Sequence, residues 1–303
     1  MKKVIVLLST YNGGTFLETQ INSLLNQTGI ELQIIARDDG SSDNTIDILK
    51  KYSSTGHLTW YTGDNVGAAK SFLDLVRNAP DGDYYAFCDQ DDYWMPDKLI
   101  SAVDKLSKYS DKVPNLYYSN YTLVDSDLNV LPSYNGSADS TYIANTMKKA
   151  IISGRATGCT MVFNKRLAEL LRLFDGETFV LHDNWTHKVC VATGGNLVFD
   201  PQSHIYYRQH GNNTVGVSRN IIKRMKRNYI LASKRKCYTS NAIKVLLGAY
   251  GDYMTEDSYK TCKQIANYRE GFNRFKVVLD KGYKTDRKKS NYKFVINVLL
   301  GVF

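Results

Sequence analysis

Four times in the first 92 residues an apolar run stops in a cluster of Ser, Thr, Asn, Asp and Gly. VIVLL runs into STYNGG, LQIIA into RDDGSSD, LTWYT into GDNVGAAK, and YYAFC into DQDD. The first run, Val4–Thr10, is too uniformly apolar for a strand with one wet face and suits the middle of a parallel sheet covered on both sides. Between the runs lie stretches of helical spacing, the first carrying Phe16, Leu17, Ile21, Leu24 and Leu25. Strand, helix, strand, helix in short units predicts an α/β chain with a doubly wound, mostly parallel central sheet. Ligands bind such sheets beyond the carboxyl ends of the strands. One polar exit is an ordinary turn; four on one edge make a site.

From about Asn115 the pattern changes. Asn115–Asp125, Arg155–Asn164, Asn196–Asp200 and His204–His210 read as strands, with helices over Thr141–Ile152, Lys165–Phe174 and Asp183–Thr193. Beyond Val217 the chain reads as helical, basic and Tyr-rich. Residues 216–303 hold 20 Lys/Arg against 6 Asp/Glu, whereas residues 1–215 hold 19 against 24, so the overall charge of +9 belongs to the tail. This change places a boundary between a domain over 1–216 and a basic helical region over 217–303. The five cysteines form no CxxC pair, which fits a reducing compartment better than a disulfide framework or a zinc site. The opening MKKVIVLLST has a five-residue apolar core, short for a signal peptide, and reads as the first strand. No run approaches the roughly 20 apolar residues that cross a bilayer.

The standard phosphate and hydrolase signatures are absent: GxxxxGK[ST], GxGxxG after the first strand, HExxH and GxSxG. What remains is Asp89, Asp91 and Asp92 at the fourth exit. Carboxylates this close repel, and burying them unpaired is costly. A hard divalent cation, Mg²⁺ or Mn²⁺, holds them together, or a basic side chain offsets them, or they form a solvated acidic turn before the helix that Pro96 and Asp97 begin.

Five segments in order, STYNGGTFLETQINSLLNQT, RDDGSSDNT, NVGAAKSF, FCDQDDYWMPDKL and YRQHGNN, resemble glycosyltransferase family 2 over about residues 1–215. These are inverting sugar transferases of the GT-A fold. The closing YRQHGNNTVG, with LHDNW before it, is similar more narrowly to bacterial rhamnosyltransferases of cell-wall and capsular polysaccharide synthesis. The resemblance implies that Thr10 and Tyr11 hold the nucleoside, with Tyr11 stacking on the base, and that Asp39 accepts a hydrogen bond from the base. It puts Lys70 near the diphosphate, Asp89 on the ribose, Asp91 on the metal, and Asp92 and Trp94 facing the donor sugar. Asp183 matches the general base; an N-cap is its plainer reading. His210 completes the metal shell or touches the diphosphate, a plain loop histidine being the alternative, and Arg208 contacts phosphate. His182, His187 and His204 are read as structural, and Cys159 as a small packed hydrophobe.

The function so implied is inverting, metal-dependent transfer of a sugar, best L-rhamnose from dTDP-rhamnose, onto a growing, lipid-linked cell-surface polysaccharide. A UDP-glucose or UDP-galactose donor is the alternative. From another class, a sugar nucleotidyltransferase would want a basic, Gly-rich loop after the first strand, which STYNGG is not. A non-catalytic assembly role would leave Asp39, Asp89, Asp91 and Asp183 without purpose. Arg219–Lys236 and the apolar Asn291–Phe303 behind DRKKS have the make-up of segments that bind anionic membrane surfaces. The expected location is cytoplasmic, peripheral on the inner face of the cell membrane. Packing on the catalytic domain or a homodimer interface is the plainer account of the tail. No nucleic-acid module accompanies the charge.

Overall fold

The computed structural model describes residues 1–132, 143–154, 156–176, 181–210 and 237–303. The first half alternates as expected: β1 (Lys3–Thr10), α1 (Leu17–Leu25), β2 (Glu31–Asp38), α2 (Thr45–Ser54), β3 (Thr59–Thr62), α3 (Ala68–Asn78) and β4 (Tyr84–Asp89). There follow β5 (Tyr93–Trp94), α4 (Lys98–Leu106), β6 (Asn115–Val124), α5 (Met147–Ile152), β7 (Val162–Asn164), α6 (Lys165–Arg172), α7 (His182–Ala192) and β8 (Asn196–Arg208). The tail adds α8 (Tyr238–Tyr250), α9 (Glu256–Ala266), α10 (Asn273–Leu279) and α11 (Lys288–Leu300).

The strands form one eight-stranded sheet in the order β3-β2-β1-β4-β7-β6-β8-β5. β1 to β4 run parallel, β6 and β8 pair parallel, and β7 and β5 are the antiparallel members. Register brings the exits level: Ser9 pairs with both Arg37 and Asp89, and Thr10 with Asp38, which pairs in turn with Thr62.

The reason for β1's central place is its uniform apolarity. Ile5 and Leu7 face one core cluster with Phe72, Leu75 and Trp185, while Val4, Val6 and Leu8 face a second with Leu17, Ile21 and Leu99. That is the two-residue period of a strand with helices on both faces. The tail joins the first of these clusters through Ile243, Leu246, Cys262, Val277, Phe294 and Phe303.

Three elements differ from the expectation. Asn196–Asp200 and His204–His210 are one strand, β8, whose ladder with β6 slips where Ser119 pairs Asp200 and Asn120 pairs Ser203. Pro201 and Gln202 form the extra length, a bulge that reads in sequence as a break. Among the described residues of the strand expected over Arg155–Asn164, Val162–Asn164 pairs in the sheet and Gly158–Thr160 is a 3₁₀ turn. The helix expected from Thr141 begins at Met147, where the Thr146 hydroxyl accepts the N–H of Lys149 at 3.4 Å. Arg219–Lys236 and the boundary at residue 216 lie outside the described residues. Among the described residues no helix is long and apolar enough to cross a membrane, and all five cysteines are free thiols.

Candidate active site

The β1 and β4 exits are tied by Gln90. Its Oε1 accepts the N–H of Tyr11 at 2.8 Å and its Nε2 donates to the Tyr11 carbonyl at 3.0 Å. This double bond to one backbone unit leaves the Tyr11 ring exposed at the sheet edge. Thr10 is different. Its hydroxyl is buried and donates to Asp38 Oδ1 at 3.1 Å. Asp38 in turn closes the second exit, accepting from Gly40 N at 3.1 Å, Ser41 N at 2.8 Å and the Ser41 hydroxyl at 2.5 Å. Gly40 sits at φ +84°, a conformation other side chains rarely adopt.

Asp39 is buried and ion-paired to Arg37, two residues back on the same strand. It also accepts from Val66 N at 3.0 Å and Gly67 N at 2.8 Å. Arg37 reaches on to Asp74 Oδ2 at 3.0 Å and the Asp64 carbonyl at 3.1 Å. This guanidinium, which joins the second and third exits, is the residue that sequence reasoning passed over. Its signal was RDD, where alternation puts Arg37 and Asp39 on one face. Lys70 lies exposed in the first turn of α3.

The fourth exit gathers the acidic groups. Asp91 Oδ2 is 2.8 Å from His210 Nε2, and the His210 ring packs on Phe16 with centroids 4.8 Å apart. The two lie 119 residues apart in sequence and are brought together because β8 carries His210 past the DQDD turn. Burial, then the charges of Asp91 and Asp183, push the Asp89 carboxyl up to about 7. Asp89 therefore feels both the candidate metal ligand and the candidate base. Burial, with the backbone N–H of Asn184 and the charge of Lys188 opposing it, leaves Asp183 raised above the ordinary carboxylate range. Asp183 stands in the first turn of α7, where the nearby Gly158 N–H also acts to hold its pKa down.

Asp92 and Trp94 lie beneath this floor rather than on it, both fully buried. Asp92 Oδ1 accepts the N–H of Arg208 at 3.1 Å, while its buried Oδ2 has no hydrogen-bond partner among the described residues. Burial and the neighbouring Asp91 and Asp89 hold the Asp92 carboxyl well above its usual range. Cys159 is buried beside it in the second core cluster, as expected of a small packed hydrophobe. Trp94 belongs to the second core cluster, with Lys98 Nζ 3.1 Å from its ring centroid. Lys98 is fully buried and makes no hydrogen bond; burial lowers its pKa to about 8. It is a basic side chain of the kind expected to offset the carboxylates, supplied by the first residue of α4. Arg208 is also mostly enclosed: Nε donates to the Asp91 carbonyl at 2.8 Å, Nη1 to the Ser126 carbonyl, and the guanidinium lies 4.4 Å over Phe16. It braces the DQDD turn from below.

His204 is structural, held between Asp97 at 3.0 Å and Asp200 at 3.3 Å. His182 and His187 are buried, and burial drives both pKa values down to about 3. A separate polar hollow lined by Lys2, Asp111, Lys112, Asn164 and Glu169 lies at the opposite edge of the sheet and holds none of these groups.

The donor set of Asp91 and His210 is one carboxylate oxygen and one imidazole nitrogen in contact at the fourth strand exit, with the charge of Asp91 reaching Asp89. This suits Mn²⁺ or Mg²⁺ whose remaining positions are filled by water and phosphate oxygens. A second group, Asp89, Asp92 and Cys159, has donor atoms within 4.8 Å of one another, but Asp92 and Cys159 are buried in the core.

Glycosyl transferase family 2 matches over residues 5–171, more than half of the chain. The dTDP-rhamnosyl transferase RfbG of Shigella flexneri is 27% identical over 239 residues, covering 75% of this chain and 80% of that protein. The crystal structure of S. aureus TarS 1-349 in complex with UDP-GlcNAc superposes with a TM-score of 0.59 at 15% identity, over 99% of this chain and 82% of that one. The mannosyltransferase PcManGT from Pyrobaculum calidifontis, in complex with GDP-Man and Mn2+, gives 0.52 at 15% identity, over 99% and 80%. At such identities the structural matches establish the GT-A-like fold.

Proposed function

Because the chain belongs to glycosyltransferase family 2, we propose that it moves a sugar from a nucleotide diphosphate onto a glycan hydroxyl with inversion at the anomeric carbon. The observation that carries this reading is the convergence of Asp89, Asp91, His210 and Asp183 at the carboxyl edge of the parallel strands. Asp183 takes the proton from the acceptor hydroxyl as that oxygen forms its bond to the anomeric carbon. The bond from that carbon to the diphosphate oxygen breaks in the same displacement, so no second carboxylate is needed as a nucleophile. Asp91 and His210 would hold Mn²⁺ or Mg²⁺, which when bound neutralises the departing diphosphate. Tyr11 stands where a nucleobase can stack on it, and Arg37 with Asp39 shapes the wall beside it. Lys70 supplies positive charge at the rim.

The donor is read as dTDP-rhamnose, which the 27% identity to a dTDP-rhamnosyl transferase supports; UDP-glucose or UDP-galactose is the alternative. The acceptor is read as lipid-linked glycan, which puts the enzyme against the inner face of the cell membrane. The test is transfer to a glycan acceptor with each nucleotide sugar, with and without Mn²⁺. Asp183→Asn keeps the shape and removes the base, and is expected to lower kcat by about 10²–10⁴-fold. Wild-type turnover by that variant contradicts the assignment.

A further inference from the structure

The two last helices turn their apolar residues in two directions. On a 3.6-residue helix, with Phe294 at 0°, Val298 lies at about 40°, while Tyr292, Ile296 and Leu300 lie at about 160°, 200° and 240°. Phe294 and Val298 are buried in the first core cluster. Tyr292 is 71% exposed, Ile296 53% and Leu300 69%. α10 repeats the arrangement. Val277 is buried, and on the opposite side Phe272 and Leu279 are each 78% exposed, with Phe275 at 57% between them. The two helices are joined through Arg274, which donates to the Leu299 carbonyl at 3.4 Å. Single exposed apolar residues need no explanation, but two adjacent helices with apolar stripes opposite their buried sides do.

The charge on these helices selects the occupant. Residues 272–303 hold eight Lys/Arg against two Asp/Glu, and one of the two acids, Asp280, is paired with Lys148 at 2.9 Å. Lys288 and Lys293 fall at about 120° and 260°, on either side of the exposed stripe of α11, and Lys289 at about 220° stands within it, on the turn before Tyr292. An apolar stripe edged by lysines fits the headgroup and acyl boundary of an anionic bilayer. A partner helix would require an uncharged or acidic match, and a second copy of this face would set eight cations against eight.

We infer that the α10–α11 face docks the protein on an anionic lipid bilayer, with Phe272, Leu279, Tyr292 and Leu300 entering the interface and the lysines meeting lipid phosphates. The inference rests on the transferase reading only for its purpose, since vesicle binding is measured without donor or acceptor. The full chain is spun with vesicles of phosphatidylcholine alone and of phosphatidylcholine with phosphatidylglycerol. Binding is expected only to the second kind and is expected to weaken steeply with salt. Leu279→Gln with Leu300→Gln, both fully folded by circular dichroism, should reduce the partition by at least about tenfold, and Lys288→Glu with Lys289→Glu likewise, each lysine contributing roughly fivefold. Binding of nucleotide sugar should be unchanged in all variants. Equal binding to both vesicle types, or anionic-vesicle binding that neither pair alters, overturns the assignment. A concentration-dependent dimer that Leu279→Gln with Leu300→Gln dissolves also overturns it, in favour of a second copy.

Discussion

Gly158 is the residue whose smallest change reaches the candidate base most directly. A Cβ at this position would lie 2.5 Å from His182 Nε2, 3.2 Å from His182 Cε1 and 3.5 Å from Asp183 Cβ. The imidazole has nowhere to retreat, since it packs on Phe72 with centroids 4.0 Å apart and meets Phe87 edge-on at 4.7 Å. Gly158→Ala therefore overpacks a closed site, at a cost of about 1–3 kcal/mol. At roughly 2 °C per kcal/mol for a chain of this size, Tm falls by about 2–6 °C. The relief available is a shift of the α7 start or of the 3₁₀ turn. Either displaces Asp183, whose Cβ would lie 3.5 Å from the added Cβ. A displacement near 1 Å costs on the order of 10²-fold in rate, so kcat should fall by about that factor while KM for the nucleotide sugar stays near wild type. The assay is steady-state transfer with a melting curve on the same preparation. His182→Ala in the same molecule vacates the space and should restore part of both losses, a favourable coupling of about 0.5–3 kcal/mol. A Gly158→Ala enzyme with wild-type kcat and Tm refutes the close packing of Gly158, His182 and Asp183 as the device that seats the base.

Three further outcomes follow from the same geometry. Arg37→Met leaves Asp39 and Asp74 without their shared cation; a loss of about 3 kcal/mol in stability is expected, with a raised KM for the nucleotide sugar and kcat nearly intact, read by urea unfolding and kinetics. His187 has its pKa lowered by burial to about 3 against 6.5, so its neutral form stabilises the fold above pH 6.5 and that contribution is lost as pH falls. Between pH 7 and 5.5 wild type should lose about 1 kcal/mol more than His187→Gln, and equal losses in urea titrations contradict the buried neutral ring. The raised pKa of Asp183 places the acid limb of the kcat/KM profile, which reports the free enzyme, above the ordinary carboxylate range, since protonation removes the base as pH falls; a limb at or below pH 4 contradicts it.

The architecture was legible because β1 and its neighbours obey a pattern that depends on few long-range contacts. An unbroken apolar strand must be covered on both faces, and Val4 to Leu8 divide between two core clusters as that requires. The level exits follow from parallel register. Family resemblance named Asp91 and His210, and the structure sets them 2.8 Å apart; spacing alone does not bring together residues 119 apart. What stayed hidden depends on contacts between distant segments. Trp94 and Asp92 are buried because β5 pairs with β8 through Tyr93 and Trp94. Arg37 reads as an ordinary strand residue until α3 brings Asp74 to it. Gly158 reads as one glycine in a strand-like run until His182 is placed against it. In α11 an apolar segment reads as uniform, and only packing separates its buried Phe294 and Val298 from its exposed Tyr292 and Leu300.

The central claim is that Asp91 and His210 hold the divalent ion that carries the nucleotide diphosphate. The most direct measurement is a crystal structure with Mn²⁺ and a nucleotide diphosphate, with the metal located by its anomalous scattering. The account predicts one peak within coordination distance of Asp91 and His210, bonded also to phosphate oxygens, with the nucleobase beside Tyr11. A diphosphate seated elsewhere, or a metal peak that touches neither side chain, contradicts it.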